Sequence, residues 1–170
     1  MTDGPPLRGL PPLVGERPRL LILGNMPSAL SLAAGEYYGN PRNAFWRITA
    51  DLFGFDPALP YRQRAAALCA AGVAVWDVLR ECRHTGSLDA AIRPDSMVPN
   101  DFERFFAEHP GIRRVLFNGA AAERNFARLV RPRPRLAYLR LPSTSPAQTM
   151  PFAAKLAAWR AGVADHRGGA

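Results

Sequence analysis

Four short stretches of this 170-residue chain carry side chains whose types and spacing suit chemistry. The first runs from Gly24-Asn-Met-Pro-Ser28 through Tyr37-Tyr-Gly-Asn-Pro-Arg-Asn43 and presents Asn25, Met26, Tyr37, Tyr38, Asn40, Arg42 and Asn43. An amide is no general base at neutral pH, but it can orient a water or hydrogen-bond a leaving group as negative charge develops on it. The second stretch opens with Trp76-Asp77, which supplies a carboxylate, and the third with Asn118-Gly-Ala-Ala121. The fourth, Leu141-Pro-Ser-Thr-Ser-Pro-Ala147, sets three consecutive hydroxyls between prolines. Such a rigid, donor-rich segment suits a phosphate, held by side chains and backbone N–H groups. Each stretch also has a plain structural reading. Asn43 and the hydroxyl loop can cap helices, Asp77 can cap a turn, and the tyrosines can simply pack.

Several chemistries find no support. There is no Gly-x-x-x-x-Gly-Lys phosphate loop and no Gly-x-Gly-x-x-Gly, so nucleoside triphosphates and dinucleotides are disfavoured. No Gly-x-Ser-x-Gly elbow exists, and the histidines stand at 84, 109 and 166, with only His84 near one of the four stretches, which argues against a Ser-His-Asp hydrolase. Two cysteines, Cys69 and Cys82, are too few for a closed zinc site or a four-thiolate cluster and read as reduced thiols of a cytoplasmic protein.

These stretches share a position in the pattern of elements. Continuous apolar runs predict buried strands near residues 19–24, 73–77, 112–117 and 135–141, each followed by one of the four stretches. Helical spacing predicts helices over 43–53, 61–71, 101–108, 120–130 and 152–163, with Asn100 as N-cap and Glu103 completing a capping box. Strands alternating with helices argue an α/β domain with a four-stranded, mostly parallel sheet, and in such sheets ligands sit beyond the carboxyl ends of the strands. Residues 1–18, rich in Pro and Gly and without a period, read as a poorly ordered arm. The expected organisation is that arm, one domain over 19–164, and a frayed tail over 165–170.

Composition sets the class. A chain that is 48% hydrophobic and 21% charged folds as a globular protein. No apolar run reaches the roughly 20 residues of a spanning helix, and Pro and Gly occupy the place where a signal peptide needs apolar residues, so neither membrane association nor export is expected. Twenty-two basic residues against fourteen acidic ones give a net charge of +8, and all the basic residues except Lys155 are arginine. That excess favours an anionic partner such as nucleic acid, although GC-rich codon usage produces the same bias.

Taken in order, Gly24-Asn-Met-Pro-Ser28, Tyr37-Tyr38, Asn40-Pro-Arg-Asn-Ala-Phe-Trp46, Val75-Trp-Asp-Val78, Val98-Pro-Asn-Asp-Phe102, Phe117-Asn-Gly119 and Leu141-Pro-Ser-Thr-Ser-Pro-Ala147 resemble the uracil-DNA glycosylase superfamily, nearest to its hypoxanthine-DNA (DNA-deoxyinosine) glycosylase branch. The likeness covers roughly residues 19 to 160. It departs from the family where Met26 replaces the usual Asn or Asp of the first motif and where Asn40 replaces a His before Pro. The resemblance implies a three-layer α/β/α sandwich and a monomeric, monofunctional enzyme acting on double-stranded DNA. Such an enzyme hydrolyses the N-glycosidic bond of a flipped deaminated base, most readily hypoxanthine with uracil also admissible, and needs neither metal nor cofactor.

Carried over residue by residue, the resemblance makes Tyr38 the stacking residue and Asp77 the base-edge reader, with Met26, Phe45 and Asn118 also around the base. An ionised Asp77 would accept from hypoxanthine N1–H but repel the neighbouring carbonyl, a modest pointer to purines. Met26 cannot polarise a water, so Asn43 becomes the catalytic polar group, with Asn25 as its rival. Ser143, Thr144 and Ser145 grip phosphate, helped by Gln148 near the wedge position and by Arg42. Lys155, the residue a lyase would require as its amine, falls in the predicted C-terminal helix away from the strand-end loops. Two other readings stay open at this point. One is a glycosylase-like module that binds damaged DNA without cutting it; the other is an α/β enzyme acting on a small nucleoside or phosphorylated metabolite.

Overall fold

Leu20–Gly24 (β2) is apolar throughout and every residue of it is buried, as a strand covered on both faces must be. A computed structural model describes residues 4–84 and 92–168 of the chain. In it β2 lies between Val73–Asp77 (β3) and Arg114–Asn118 (β6), with Ala137–Leu141 (β7) outside β6, all parallel in the order β3-β2-β6-β7. The register sets Gly24 opposite Asp77, Leu23 opposite Phe117, and Asn118 opposite Leu141, so the four strands end together along one edge.

Side chains alternate across this sheet. Trp76, Phe117 and Tyr138 lie on one face, where rings from Phe102–Glu108 (α4) and Ala120–Leu129 (α5) meet them: Trp76 packs on Phe105 at 4.7 Å, and Phe126 on Phe117 at 5.4 Å. The opposite face, carrying Leu139 and Leu141, packs on Gly162 of Phe152–Gly168 (α6). Phe45–Phe53 (α2) contacts both α6 and Tyr61–Ala70 (α3), completing the second helical layer. The α/β/α sandwich with its four-stranded parallel sheet is the architecture the sequence implied.

The differences are local. Two strands begin two residues later than expected, because Ile112 packs into the core and Leu136 donates its N–H to the Pro134 carbonyl instead of joining the ladder. The first loop contains a short helix, Ala29–Ala34 (α1), with Ser28 Oγ accepting the Ser31 N–H and Gly35 closing it at φ +67°. Its six residues are too few to display a period.

The N-terminal segment corrects a sequence expectation. Residues read as a poorly ordered arm are docked: Leu7–Arg8 (β1) pairs antiparallel with Leu79–Cys82 (β4), which also pairs with Val98–Pro99 (β5). Leu13 exchanges backbone bonds with Val75, and the Tyr37 hydroxyl donates to the Leu10 and Pro11 carbonyls. At the other end α6 runs on to Gly168, past the expected stop at residue 163. The expected irregular stretch 80–99 holds β4, a 3₁₀ turn at Pro94–Ser96 and β5, while its residues 85–91 lie outside the described residues. Asp101, not Asn100, caps α4, its Oδ1 accepting the Arg104 N–H.

Candidate active site

The shared carboxyl edge of the strands opens into a pocket of about 380 Å³, within the range of small-ligand sites. Residues from all four strand-end stretches line it, as the sheet topology requires. Its floor is built at the first register pair. Gly24 has no side chain because Asp77 Oδ1 occupies the place of a Cβ there, and the Tyr38 hydroxyl lies 3.0 Å from the same point. Asp77 is 4% exposed, and its Oδ2 has no hydrogen-bond partner among the described residues. Burial without a compensating cation or donor disfavours the charged form and raises its pKa to about 7. The ionised carboxylate assumed from sequence is therefore not the ordinary state of this group below neutral pH.

Tyr38 forms one wall. Its ring stacks on Phe45 at 4.0 Å with 21° between planes, and its backbone adopts φ +54°, a conformation that costs a non-glycine residue roughly 1 kcal/mol. Phe45 itself is fully buried behind Tyr38 and does not line the pocket, which corrects its expected place around the base. Met26 does line it, packed against the core.

Both candidate amides reach the pocket, each anchored by its oxygen. Asn43 Oδ1 accepts the Phe45 N–H at 2.9 Å, an Asx turn just ahead of the helix, whereas the N-cap is Ala44 without a side-chain cap bond, which corrects the capping reading of Asn43. The bond fixes the side chain and leaves its amide N–H groups uncommitted by it. Asn25 Oδ1 accepts from Asn125 Nδ2 at 2.8 Å. Asn125 is 3% exposed on the inner side of α5, a polar residue at an apolar helix position. That misplaced polarity was its only sequence signal, and sequence reasoning missed it. Asn100, read as a cap, instead donates from Nδ2 to the Asp77 carbonyl at 2.8 Å and so holds the end of β3.

The hydroxyl loop divides its labour. Thr144 is 1% exposed. Its N–H donates to Asn118 Oδ1 and its Oγ1 accepts from Asn118 Nδ2, while its carbonyl accepts the Ala44 N–H. Asn118 and Thr144 thus lock the loop to β6 and to the start of α2 while both line the pocket. Ser143 and Ser145 line the pocket. Beside them Gly119, at φ +97°, brings its Cα close to Ser143 and leads into α5 without a side-chain cap, so the first N–H groups of that helix open at the pocket wall.

Lys155 also differs from expectation. It sits in α6, yet its buried ammonium donates to the Ser145 carbonyl at 3.0 Å and the Gln148 carbonyl at 2.7 Å, clamping the loop from behind. Burial lowers its pKa. Gln148 Oε1 accepts the Met150 N–H, and neither Gln148 nor the exposed Arg42 lines the pocket. The structure therefore brings together Asn25, Met26, Tyr38, Asn43, Asp77, Asn118, Ser143, Thr144 and Ser145, and leaves Phe45, Arg42 and Gln148 outside.

This geometry has known counterparts. A family model described as the uracil DNA glycosylase superfamily matches residues 11–165. The hypoxanthine DNA glycosylase of Methanosarcina barkeri (strain Fusaro) is 34% identical over 113 residues, which are 66% of this chain and 70% of that protein. The hypoxanthine DNA glycosylase of Methanosarcina acetivorans is 34% identical over 116 residues, 68% of this chain and 72% of that protein. A solution NMR structure from Methanosarcina acetivorans, provisionally named a uracil DNA glycosylase, superposes with a TM-score of 0.79 at 30% identity, covering 92% of this chain and 95% of the other. With the family match spanning the whole sheet and every wall of the pocket, the chain belongs to the uracil DNA glycosylase superfamily and is a DNA glycosylase.

Proposed function

We propose that the protein removes hypoxanthine from duplex DNA by hydrolysing the N-glycosidic bond of a flipped deoxyinosine, with no lyase step. The observation that carries this reading is the strand-end pocket itself, which sets a stacked aromatic wall, an unsatisfied buried carboxyl and an anchored amide around one base-sized space. The names of the two Methanosarcina relatives support hypoxanthine as the base.

Each demand of the reaction finds a residue. Phe45 backs one face of the Tyr38 ring, leaving the other for a planar base. Asp77 faces the base edge from the floor. Asn43, its oxygen tied to the Phe45 N–H, turns its amide donors to the base, where they stabilise the negative charge that develops as the glycosidic bond breaks. Asn25, tied to Asn125, also lines the pocket and is the rival for the catalytic polar contact. Ser143, Ser145 and the opening N–H groups of α5 hold the phosphates that flank the extruded nucleotide, and the arginine excess supplies the long-range attraction to DNA. Lys155 is engaged by two carbonyls and does not line the pocket, so no lysine amine stands ready to form a Schiff base.

The test is a panel of duplexes, each with one hypoxanthine, uracil, xanthine or ethenocytosine. Hypoxanthine duplexes are expected to break only after alkali. Breaks before alkali refute the hydrolytic mechanism, and failure to release any base refutes the function.

A further inference from the structure

Resting on the reading that a flipped base fills this pocket, we propose that Asp77 reads it as a neutral carboxylic acid. One carboxyl oxygen donates O–H to the ring carbonyl of a lactam base while the other accepts the adjacent ring N–H. In hypoxanthine these are O6 and N1–H, and the pair closes two parallel hydrogen bonds.

Geometry supplies the first support. Asp77 ends β3 opposite Gly24 and lines the pocket, with Oδ1 filling the space of the missing Cβ and Oδ2 buried without a partner among the described residues. A buried polar atom left unsatisfied is rare and is completed by a ligand or water. A lone carboxylate in such a place is costly, and a carboxyl that lacks a cation keeps its proton instead.

The described residues around Asp77 offer no countercharge. The titratable groups of the described residues that face Asp77 are the hydroxyls of Tyr37 and Tyr38 in the first loop, both held neutral because burial raises their pKa. From β2 comes Gly24, from β6 the non-titrating Asn118, and ahead of α4 Asn100, which bonds the Asp77 carbonyl oxygen of the backbone and not the carboxyl. Burial accordingly places the titration of Asp77 at about 7, so the acid form prevails below neutrality.

The chemistry of the edge then follows. A carboxylate would meet the ring N–H well but repel the carbonyl beside it; the acid satisfies both. Adenine, an acceptor beside an amine, pairs with the same acid once its proton moves to the other oxygen. Asp77 therefore reads a two-point edge without rejecting adenine, and that rejection falls to the cost of extracting a well-paired base.

The experiment measures single-turnover excision of hypoxanthine from a one-lesion duplex between pH 5.5 and 9, with the wild type, Asp77→Asn and Asp77→Leu. The wild-type single-turnover rate at subsaturating enzyme is expected to fall about tenfold per pH unit above about pH 7, as the acid is titrated away. Asp77→Asn keeps a donor and an acceptor at every pH, so that alkaline limb should vanish. Asp77→Leu should lose about 10²-fold at all pH values, the scale of one removed oriented contact. A substrate-side measurement covers the case of a variant that misfolds: a duplex with 1-methylhypoxanthine lacks the ring N–H and should be excised at least about tenfold more slowly by the wild type. A wild-type profile flat to pH 9, an alkaline limb retained in Asp77→Asn, or undiminished excision of the methylated base overturns the proposal. No release of any base by the wild type at any pH overturns the proposed function, and this inference falls with it.

Discussion

Replacing Asp77 by Asn should raise stability at neutral pH, by an amount that depends on pH in a calculable way. The two side chains have nearly the same shape, so their difference isolates the proton. In the unfolded chain Asp77 titrates near its ordinary value of 3.8; in the folded protein burial moves it to about 7. Below both values folded and unfolded states each hold the proton, and the carboxyl imposes no pH-dependent cost. Between them the folded state holds a proton that the unfolded state has released, so wild-type stability falls as pH rises, by about 1.4 kcal/mol per pH unit. Across the interval from 3.8 to about 7 the loss reaches about 4 kcal/mol, and above it both states are ionised and the loss stops growing. That figure is a ceiling, because water entering the pocket solvates the carboxylate. The assay is guanidinium unfolding of wild type and Asp77→Asn at half-unit steps from pH 4 to 8. The difference, wild type minus variant, should decline through this window and then level off. A difference constant to within about 0.5 kcal/mol, or one that rises with pH as for a carboxylate with a hidden partner, refutes the assignment of an unpaired buried acid.

Asn43→Ala should slow single-turnover excision by about 10²–10³, the worth of one oriented transition-state donor, while duplex affinity stays within about twofold. Asn25→Ala is its control: a dead Asn25 variant beside a normal Asn43 variant reverses the assignment. Lys155→Met removes two charge-assisted bonds from the hydroxyl loop and should cost about 3 kcal/mol in unfolding experiments and about tenfold in DNA affinity, with partial rescue by Lys155→Arg; unchanged affinity means the clamp does not govern the loop. Ser143→Ala with Ser145→Ala should weaken binding to plain and lesion duplexes alike. If about five phosphates are held, the wild type should show a slope of log K against log salt near −4 to −5, and selective loss on lesion duplexes would mean that the loop reads the base.

The parts of this molecule that were legible in sequence are those determined by neighbours along the chain or by the topology of a buried sheet. Leu20–Gly24 and Val73–Asp77 read as strands because parallel strands covered on both faces need continuous apolar runs, and every residue in both is indeed buried. Once four such runs alternate with helices, a ligand pocket is expected beyond their ends, and the pocket of about 380 Å³ opens there. The two-residue pairing of Leu7–Arg8 with β4 left no such mark, since it depends on an edge more than 70 residues away. What stayed hidden in the site was partnership. Asn25 meets Asn125 across 100 residues and Asn118 meets Thr144 across 26, contacts that no local pattern encodes. Those bonds decide which polar groups are scaffold. A side chain whose oxygen and nitrogen both bond the same neighbour, like that of Asn118, braces the loop; a buried atom with nothing to bond is tolerated because something else will bond it. By that test Asp77 Oδ2 and the Tyr38 hydroxyl, both buried and both unpartnered among the described residues, are the atoms to which the proposed function assigns the base. Asp77 Oδ1 and the same Tyr38 hydroxyl occupy the volume that a side chain at position 24 would need, so β2 shapes the pocket floor through the side chain it lacks.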